Sequence, residues 1–274
     1  MNKGIFKSYG VKEATTLASD VDVHVEEIII NGYTIVENVI EESKLDDVRR
    51  RVDEVYQQQG AEVGGTERLA LINDEFVARC LLAYDDYFLE LASSRKILSV
   101  LEGLMGDYFI LQQQNAIINS PVKQNYQLAW HRDLSYQHFV TTRPIAVSAL
   151  VCVDDFSELT GGTHMLPASH KVEKFPSPEF VQKYEKAIVA KAGSALVFDS
   201  MIFHRGGINN SMNIRRGVNH MYALPFIKQQ IDMPTMLGGK YIDDAFYSRF
   251  LGYESEAAPS VVSWRSKRLE KFPS

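Results

Sequence analysis

The chain has 274 residues, of which 45% are hydrophobic and 23% charged, with a formal net charge of −6. Such a chain can bury a substantial core within one domain, and its composition excludes a disordered polymer. The negative balance argues against a nucleic-acid or anionic-membrane surface, since both need clustered positive charge, so neither partner is expected. No stretch is long and apolar enough to cross a bilayer, and the opening Met-Asn-Lys-Gly-Ile-Phe-Lys lacks the apolar centre of a signal peptide. The two cysteines, Cys80 and Cys152, sit in apolar runs that read as core, so no disulfide framework is indicated and a reducing cytoplasm is the expected location.

In chain order, residues 1–24 read as an N-terminal extension, 25–226 as the core and 227–274 as a C-terminal extension of a single domain. Residues 25–40 predict two strands joined at Asn31-Gly32, because Asn-Gly between β-branched runs signals a hairpin. Leu45, Val48, Val52 and Val55 recur at helical spacing, and Gly60 is the expected end of that helix. Gly64-Gly65 marks a loop, and residues 73–105 carry the apolar periodicity of two helices broken at Ser93-Ser94. After Gly106 the pattern becomes β-like. Residues 108–119 predict a strand, 145–153 a buried strand, 160–163 a turn, 194–204 a strand and turn, and 214–226 another strand. Residues 175–189 predict a loop with a short helix and are a candidate lid. The aromatic tail with Tyr241, Phe246, Tyr247, Phe250, Tyr253 and Trp264 is too apolar to float free. Three roles are open for it: lining a pocket, capping the barrel or forming a homodimer contact.

The chemistry is concentrated in Trp130-His131-Arg132-Asp133. Residues i and i+2 of an extended segment point the same way, so His131 and Asp133 can converge on one ion while Arg132 faces away. Two histidines and one carboxylate on one face of a metal, with other positions open, describe a non-haem iron(II) oxygenase site. His204 supplies the second histidine. Arg215 follows it by eleven positions and points inward if its segment is a regular strand, leaving Arg216 outward. A guanidinium pairs with a carboxylate in bidentate geometry, which is what the far end of a 2-oxoacid needs. Alternation also puts Gln113 and Asn115 on one face, as candidates for the cosubstrate carboxylate or a water, with ordinary hydrogen bonding in the sheet as the alternative. His138 and Arg143 follow the motif closely enough to reach a substrate, whereas His170 reads as a turn residue.

The ordered set His131-x-Asp133, then Gly161-Gly162 with Pro167-x-Ser169-His170, then His204-x-x-Gly207-x-Asn209 and Arg215, resembles the phytanoyl-CoA dioxygenase family of iron(II)/2-oxoglutarate oxygenases. The resemblance spans roughly residues 25–226. It implies a mainly β fold with flanking α-helices, a double-stranded β-helix of the jelly-roll, cupin-like kind. It also implies His131, Asp133 and His204 as iron ligands, Arg215 as the 2-oxoglutarate anchor, and dioxygen as second cosubstrate. The expected reaction is hydroxylation of a small-molecule metabolite with release of succinate and CO2. One departure is Ala168, where the family usually has glycine. Related halogenases carry a small residue in place of Asp133, so the carboxylate here argues for hydroxylation or another oxidation.

Two other readings compete. His131-Arg132-Asp133-Leu134 also resembles a protein-kinase catalytic loop, but the asparagine that would hold a second magnesium is His138, and no glycine-rich phosphate loop precedes it. A β-helix domain that binds a metal or ligand without turnover is the second, since fold alone does not prove activity.

Overall fold

The computed structural model describes residues 8–121, 126–270 and 272; the opening heptapeptide discussed above lies outside the described residues. The larger of two sheets runs β1 (Tyr33–Val36), β7 (Ala195–Asp199), β4 (Ala146–Cys152), β9 (Arg215–Ala223), β3 (Ile110–Asn119) and β2 (Val77–Arg79). The smaller runs β6 (Lys186–Ala187), β5 (His164–Met165) and β8 (His204–Arg205). Every pairing in both sheets is antiparallel. From β4 onward the chain passes to the small sheet, back to β7, across to β8 and back to β9, the winding of a double-stranded β-helix.

Side-chain alternation decides what each face of the large sheet touches. Val147, Ala149, Val151, Val197, Val218 and Tyr222 point outward into a core shared with helical Leu98 and Leu101. Leu150, Cys152, Leu196 and Phe198 point inward and pack on Met165 of the small sheet, with Phe156 and Ile188. Since β4 is covered on both faces, every residue from Ala146 to Cys152 is buried. That explains the unbroken apolar run read from the sequence.

The outer layer is α1 (Asp20–Asn31), α2 (Leu45–Glu62), α3 (Thr66–Leu69), α4 (Tyr87–Ala92) and α5 (Arg95–Met105). The expected hairpin at Asn31-Gly32 does not form. Residues 20–31 are helical, and Gly32 caps them at φ +91° with its N–H donating to the Ile28 carbonyl. The overlooked signal is Ser19-x-x-Asp22, a reciprocal capping box that starts the helix inside the supposed extension. The first of the two helices expected over residues 73–105 is also partly wrong. Val77–Arg79 is an edge strand, bracketed by Phe76 and Cys80 at positive φ, and the Gln59 side chain both accepts from Arg79 N (2.8 Å) and donates to its carbonyl (2.5 Å). A helix cannot continue through two left-handed residues. The break at Ser93-Ser94 separates α4 from α5 as expected.

After α6 (Pro178–Tyr184) and the last strand come α7 (Met233–Leu237), α8 (Ala245–Phe250) and α9 (Val261–Leu269). Phe250, Leu251 and Tyr253 join the outer core, so this part of the tail caps the helical side, whereas α9 buries no residue.

Ala168 holds φ +61°, in the turn that docks on α1 through its N–H to the Asn31 carbonyl (2.7 Å). An L-residue there costs about 1–2 kcal/mol, partly offset by the larger entropy of glycine in the unfolded chain. Ala168→Gly is therefore expected to raise the thermal midpoint by about 1–2 °C in a calorimetric scan. A lower midpoint contradicts the strain.

Candidate metal centre

His131 and His204 form an antiparallel bridge: His131 N donates to the His204 carbonyl (2.9 Å) and His204 N to the His131 carbonyl (3.0 Å). Residues opposed in such a bridge project to the same side, and the imidazole centroids lie 4.3 Å apart. Asp133, tied by its N–H to the Ser200 carbonyl (3.1 Å), brings Oδ1 to 3.4 Å from His204 Nε2 and 3.9 Å from His131 Nε2. One ligand atom from each of the three lies within 4.8 Å of the others.

The tautomers follow from the neighbours. Nδ1 of His131 is 2.8 Å from the Ala129 carbonyl, and Nδ1 of His204 is 3.1 Å from the Ile202 carbonyl. Carbonyls only accept, so Nδ1 carries the proton and each Nε2 turns its lone pair toward Asp133. Burial and the nearby charge of His204 push His131 down to about 4. Burial would raise Asp133, but His204, His131 and the Ser148 hydroxyl outweigh it and hold the carboxylate below its usual range. Burial alone would depress His204, and the Asp133 charge reverses that and raises it. The cluster thus combines one carboxylate and two imidazole nitrogens aligned on it.

Arg215 begins β9 on the inner face and lines the same cavity as the triad, with Asn219, Ile117 and Thr163. Its Nη2 donates to the Gly161 carbonyl (2.8 Å) and its plane lies over Phe156 (4.1 Å), yet Nε is buried without a partner. Burial pushes this guanidinium down to about 10. A buried N–H with no acceptor is costly, and a carboxylate in the cavity would satisfy it. Arg216 faces the helices, pairing with Asp53 (2.7 Å) and Asp154 (3.0 Å). Alternation along β9 thus separates a cavity cation from a structural one.

The glycines of the motif are points of backbone contact. A Cβ on Gly161, at φ +72°, would lie 2.5 Å from the Gly207 carbonyl oxygen, and one on Gly207 would lie 2.4 Å from that of Gly162. Asn119 Nδ2 donates to Gly207 O (2.9 Å) and Gly161 O (3.3 Å), while Asn209 Nδ2 donates to Asn119 O (2.9 Å). Asn119 was not singled out from the sequence, because its partners are 42 and 88 residues away. Ser169 Oγ accepts from Phe203 N (2.9 Å), fixing the turn before His204. Nε2 of His170 lies 3.2 Å from the Ile29 carbonyl, a turn contact as expected.

Gln113 and Asn115 share the inner face of β3, opposite Met221 and Asn219, but neither lines the metal cavity. The Asn115 amide turns toward Gln230 (3.3 Å) or, with its O and N exchanged, toward the Gln114 carbonyl and Arg79, the in-sheet alternative for this residue. Arg143 lines a surface groove with Ile29 and Glu102, and His138 is exposed. The candidate lid is pinned. Glu185, just after α6, accepts from Arg205 (2.8 Å) and meets His164 (3.0 Å), and Val181 packs against Leu166 and Phe203.

Fold and donor set together define a non-haem iron, 2-oxoglutarate-dependent dioxygenase, and the triad fits its ferrous iron. A family model described as phytanoyl-CoA dioxygenase (PhyH) matches residues 30–217, and the chain belongs to that family. It is 29% identical to "Uncharacterized protein Rv1501" of Mycobacterium tuberculosis, over 84% of this chain and 86% of that one. It is 24% identical to "Dioxygenase olcK" of Penicillium canescens, over 76% and 72%. Among solved structures, EctD from S. alaskensis with 2-oxoglutarate and 5-hydroxyectoine shares the fold at a TM-score of 0.62 and 17% identity, over 80% of each chain.

The turn that delivers His204 holds a testable charge. Asp199 is 4% exposed, its carboxylate accepts from Met201 N (2.9 Å), and burial pushes it up to about 6 from 3.8. The folded state therefore holds this proton more tightly than the unfolded chain, so stability falls as pH rises through about 6, by about 3 kcal/mol at most. Asp199→Asn keeps an acceptor and buries no charge; its thermal midpoint should exceed the parent's at pH 8 and match it at pH 4. A pH-independent difference refutes the assignment. Gly161→Ala should displace the carbonyl that steadies Arg215 and raise the 2-oxoglutarate KM about tenfold or more, which corresponds to about 1.4 kcal/mol. An unchanged KM shows the junction to be slack.

Proposed function

We propose that His131, Asp133 and His204 hold the ferrous iron, that Arg215 receives the distal carboxylate of 2-oxoglutarate, and that the reaction oxidises an unactivated C–H bond of a small molecule. The observation that carries this reading is the shared cavity. Two Nε2 lone pairs and one carboxylate oxygen converge on one side of it, and a buried guanidinium with an unsatisfied N–H lines it as well. The iron, when bound, supplies dioxygen activation coupled to conversion of 2-oxoglutarate into succinate and CO2.

The residues of the chain contribute orientation and polarity. Along the inner face of β9, Arg215 and Asn219 give way to Met221 and Ala223, which pack with Ala146, Leu134 and Ile227. That apolar cluster is closed by its own packing, so within the cavity we assign the Arg215 end to the cosubstrate and the side lined by Ile117, Leu150 and Phe198 to apolar contact. The carboxylate at position 133 occupies the place that a halide would need, which favours hydroxylation or a related oxidation. The small-molecule assignment is supported by relatives whose names carry such compounds, including EctD with 5-hydroxyectoine and the epimerase SnoN with nogalamycin RO.

Anaerobically reconstituted protein should release succinate from 2-oxoglutarate in an iron-dependent manner, faster when a metabolite panel contains a substrate. His131→Ala and Asp133→Ala should each abolish that release. Arg215→Met should retain metal binding while raising the 2-oxoglutarate requirement by about a hundredfold, as expected for loss of a buried charge-assisted pair worth about 3 kcal/mol. Full activity in a triad variant removes that residue from the centre, and an absence of succinate release with every substrate class tested favours a binding domain.

A further inference from the structure

The carboxylate of Asp133 is gripped on one side only. Its Oδ2 accepts from Ser148 Oγ (2.5 Å) and from Asn219 Nδ2 (3.3 Å), whereas Oδ1 is the oxygen that faces both imidazoles. Ser148 is fully buried and lies 2.9 Å from Ser200 Oγ, on the same residue whose carbonyl accepts the Asp133 N–H. Ser148 projects from β4 opposite Met221 and Asn219 from the adjacent β9 opposite Leu150, a diagonal pair two register positions apart on the inner face, so the large sheet itself sets the distance between the two donors. The Oδ1 of Asn219 is buried without a partner, and its side chain lines the cavity. The amide thus spends its N–H on the carboxylate and leaves its carbonyl for a donor in the ligand space.

We propose that Ser148 and Asn219 are positioning residues that clamp the outer oxygen of Asp133, so that the carboxylate offers the metal one oxygen, Oδ1. This rests on the metal assignment above. A carboxylate free to turn about its Cβ–Cγ bond can present both oxygens to a divalent ion and occupy a position that the cosubstrate needs. With Oδ2 committed to two donors, that rotation breaks both bonds and leaves a buried hydroxyl and a buried amide unsatisfied. The clamp therefore acts on the number of positions left open, as well as on the grip for the metal. Donors that merely satisfied a buried polar atom would influence folding but not the spectrum of the loaded centre.

The test uses the full chain as parent, Ser148→Ala, Ser148→Thr, Asn219→Ala and the double alanine variant. Mn(II) affinity is measured under nitrogen by electron paramagnetic resonance, and the visible charge-transfer band of the Fe(II)·2-oxoglutarate complex is recorded, with thermal melts of the metal-free proteins alongside. Each alanine variant should bind Mn(II) about tenfold or more weakly and show a shifted or weakened band, as loss of a ligand's supporting partner does elsewhere. Ser148→Thr, which keeps the hydroxyl, should return toward the parent. Mn(II) affinities within about twofold of the parent, together with an unaltered band, overturn the clamp. Should Ser148→Ala fail to fold, Asn219→Ala at the cavity wall decides alone, provided that its metal-free melt matches the parent's. A parent that binds no Mn(II) overturns the metal assignment and the clamp together, whereas parent binding with unaffected variants removes only the clamp.

Discussion

The backbone bridge between His131 and His204 is the constraint from which the centre follows. Two residues 73 positions apart in the chain exchange both of their main-chain hydrogen bonds, and that exchange fixes the imidazoles side by side before any ligand is considered. On the far side of the same segment lies Arg132. Its guanidinium, 4% exposed, donates to the carbonyls of Met201, Gln137, Glu173, Ser169 and Val172, and stacks 3.9 Å from the centre of the Phe203 ring. A buried charge is tolerable only when its donors are satisfied, and five carbonyls do so, with the Asp199 carboxylate close enough to favour the charge. The result ties the turn before His204, the loop after Asp133 and the segment leading to α6 to the ligand strand. Alternation thus assigns neighbouring side chains to two jobs: residues 131 and 133 face the cavity, and 132 holds the loops that surround it.

The same logic recurs at Arg215 and Arg216. The outward arginine enters a network with Asp53 and Asp154, and Asp154 also accepts from Arg49 at 2.6 Å, so β9 is bound to α2 by ion pairs. Among the described residues the inward one has a single protein acceptor and an aromatic face, and its charge is raised in energy by burial. A cation left partly unsatisfied inside a folded protein is a local cost that an anionic ligand removes on binding. The glycine junction beneath it makes that arrangement rigid. Gly161, Gly162 and Gly207 let two loops meet backbone to backbone, and Asn119 and Asn209 stitch the contact with side-chain amides.

What the sequence disclosed and what it concealed divide along physical lines. The spacing of His131 and Asp133, the position of His204, and the inward and outward arginines were legible because each depends on strand alternation, a local rule with a period of two. The strands β3, β7 and β9 were legible from β-type runs after Gly106, and β4 from an unbroken apolar stretch that reflects burial on both faces. Asn31-Gly32 misled because the same dipeptide serves as a hairpin turn and as a left-handed helix cap, and only the capping box at Ser19 and Asp22 distinguishes them. Strand β2 was hidden because its apolar residues also fit a helical window, and it is the positive φ of Phe76 and Cys80, invisible in residue identity, that breaks the helix. Ser148, Asn219 and Asn119 escaped notice for a third reason. Each acts through partners 15 to 88 residues distant, and an ordinary serine or asparagine within a strand carries no local signal.

The electrostatics of the triad also bear on how its geometry is kept. Two imidazoles in contact would repel if both were protonated; burial and the His204 charge push His131 down to about 4, while the Asp133 charge raises His204. The Asp133 carboxylate is in turn supported by hydroxyl and amide donors on the oxygen that faces away from the imidazoles. Such a buried polar cluster is weakly stabilising at best once desolvation is counted, so it does not account for the fold, which rests on the two apolar layers flanking the large sheet. It preserves instead the alignment of three donor atoms, with both imidazole tautomers already set by the Ala129 and Ile202 carbonyls.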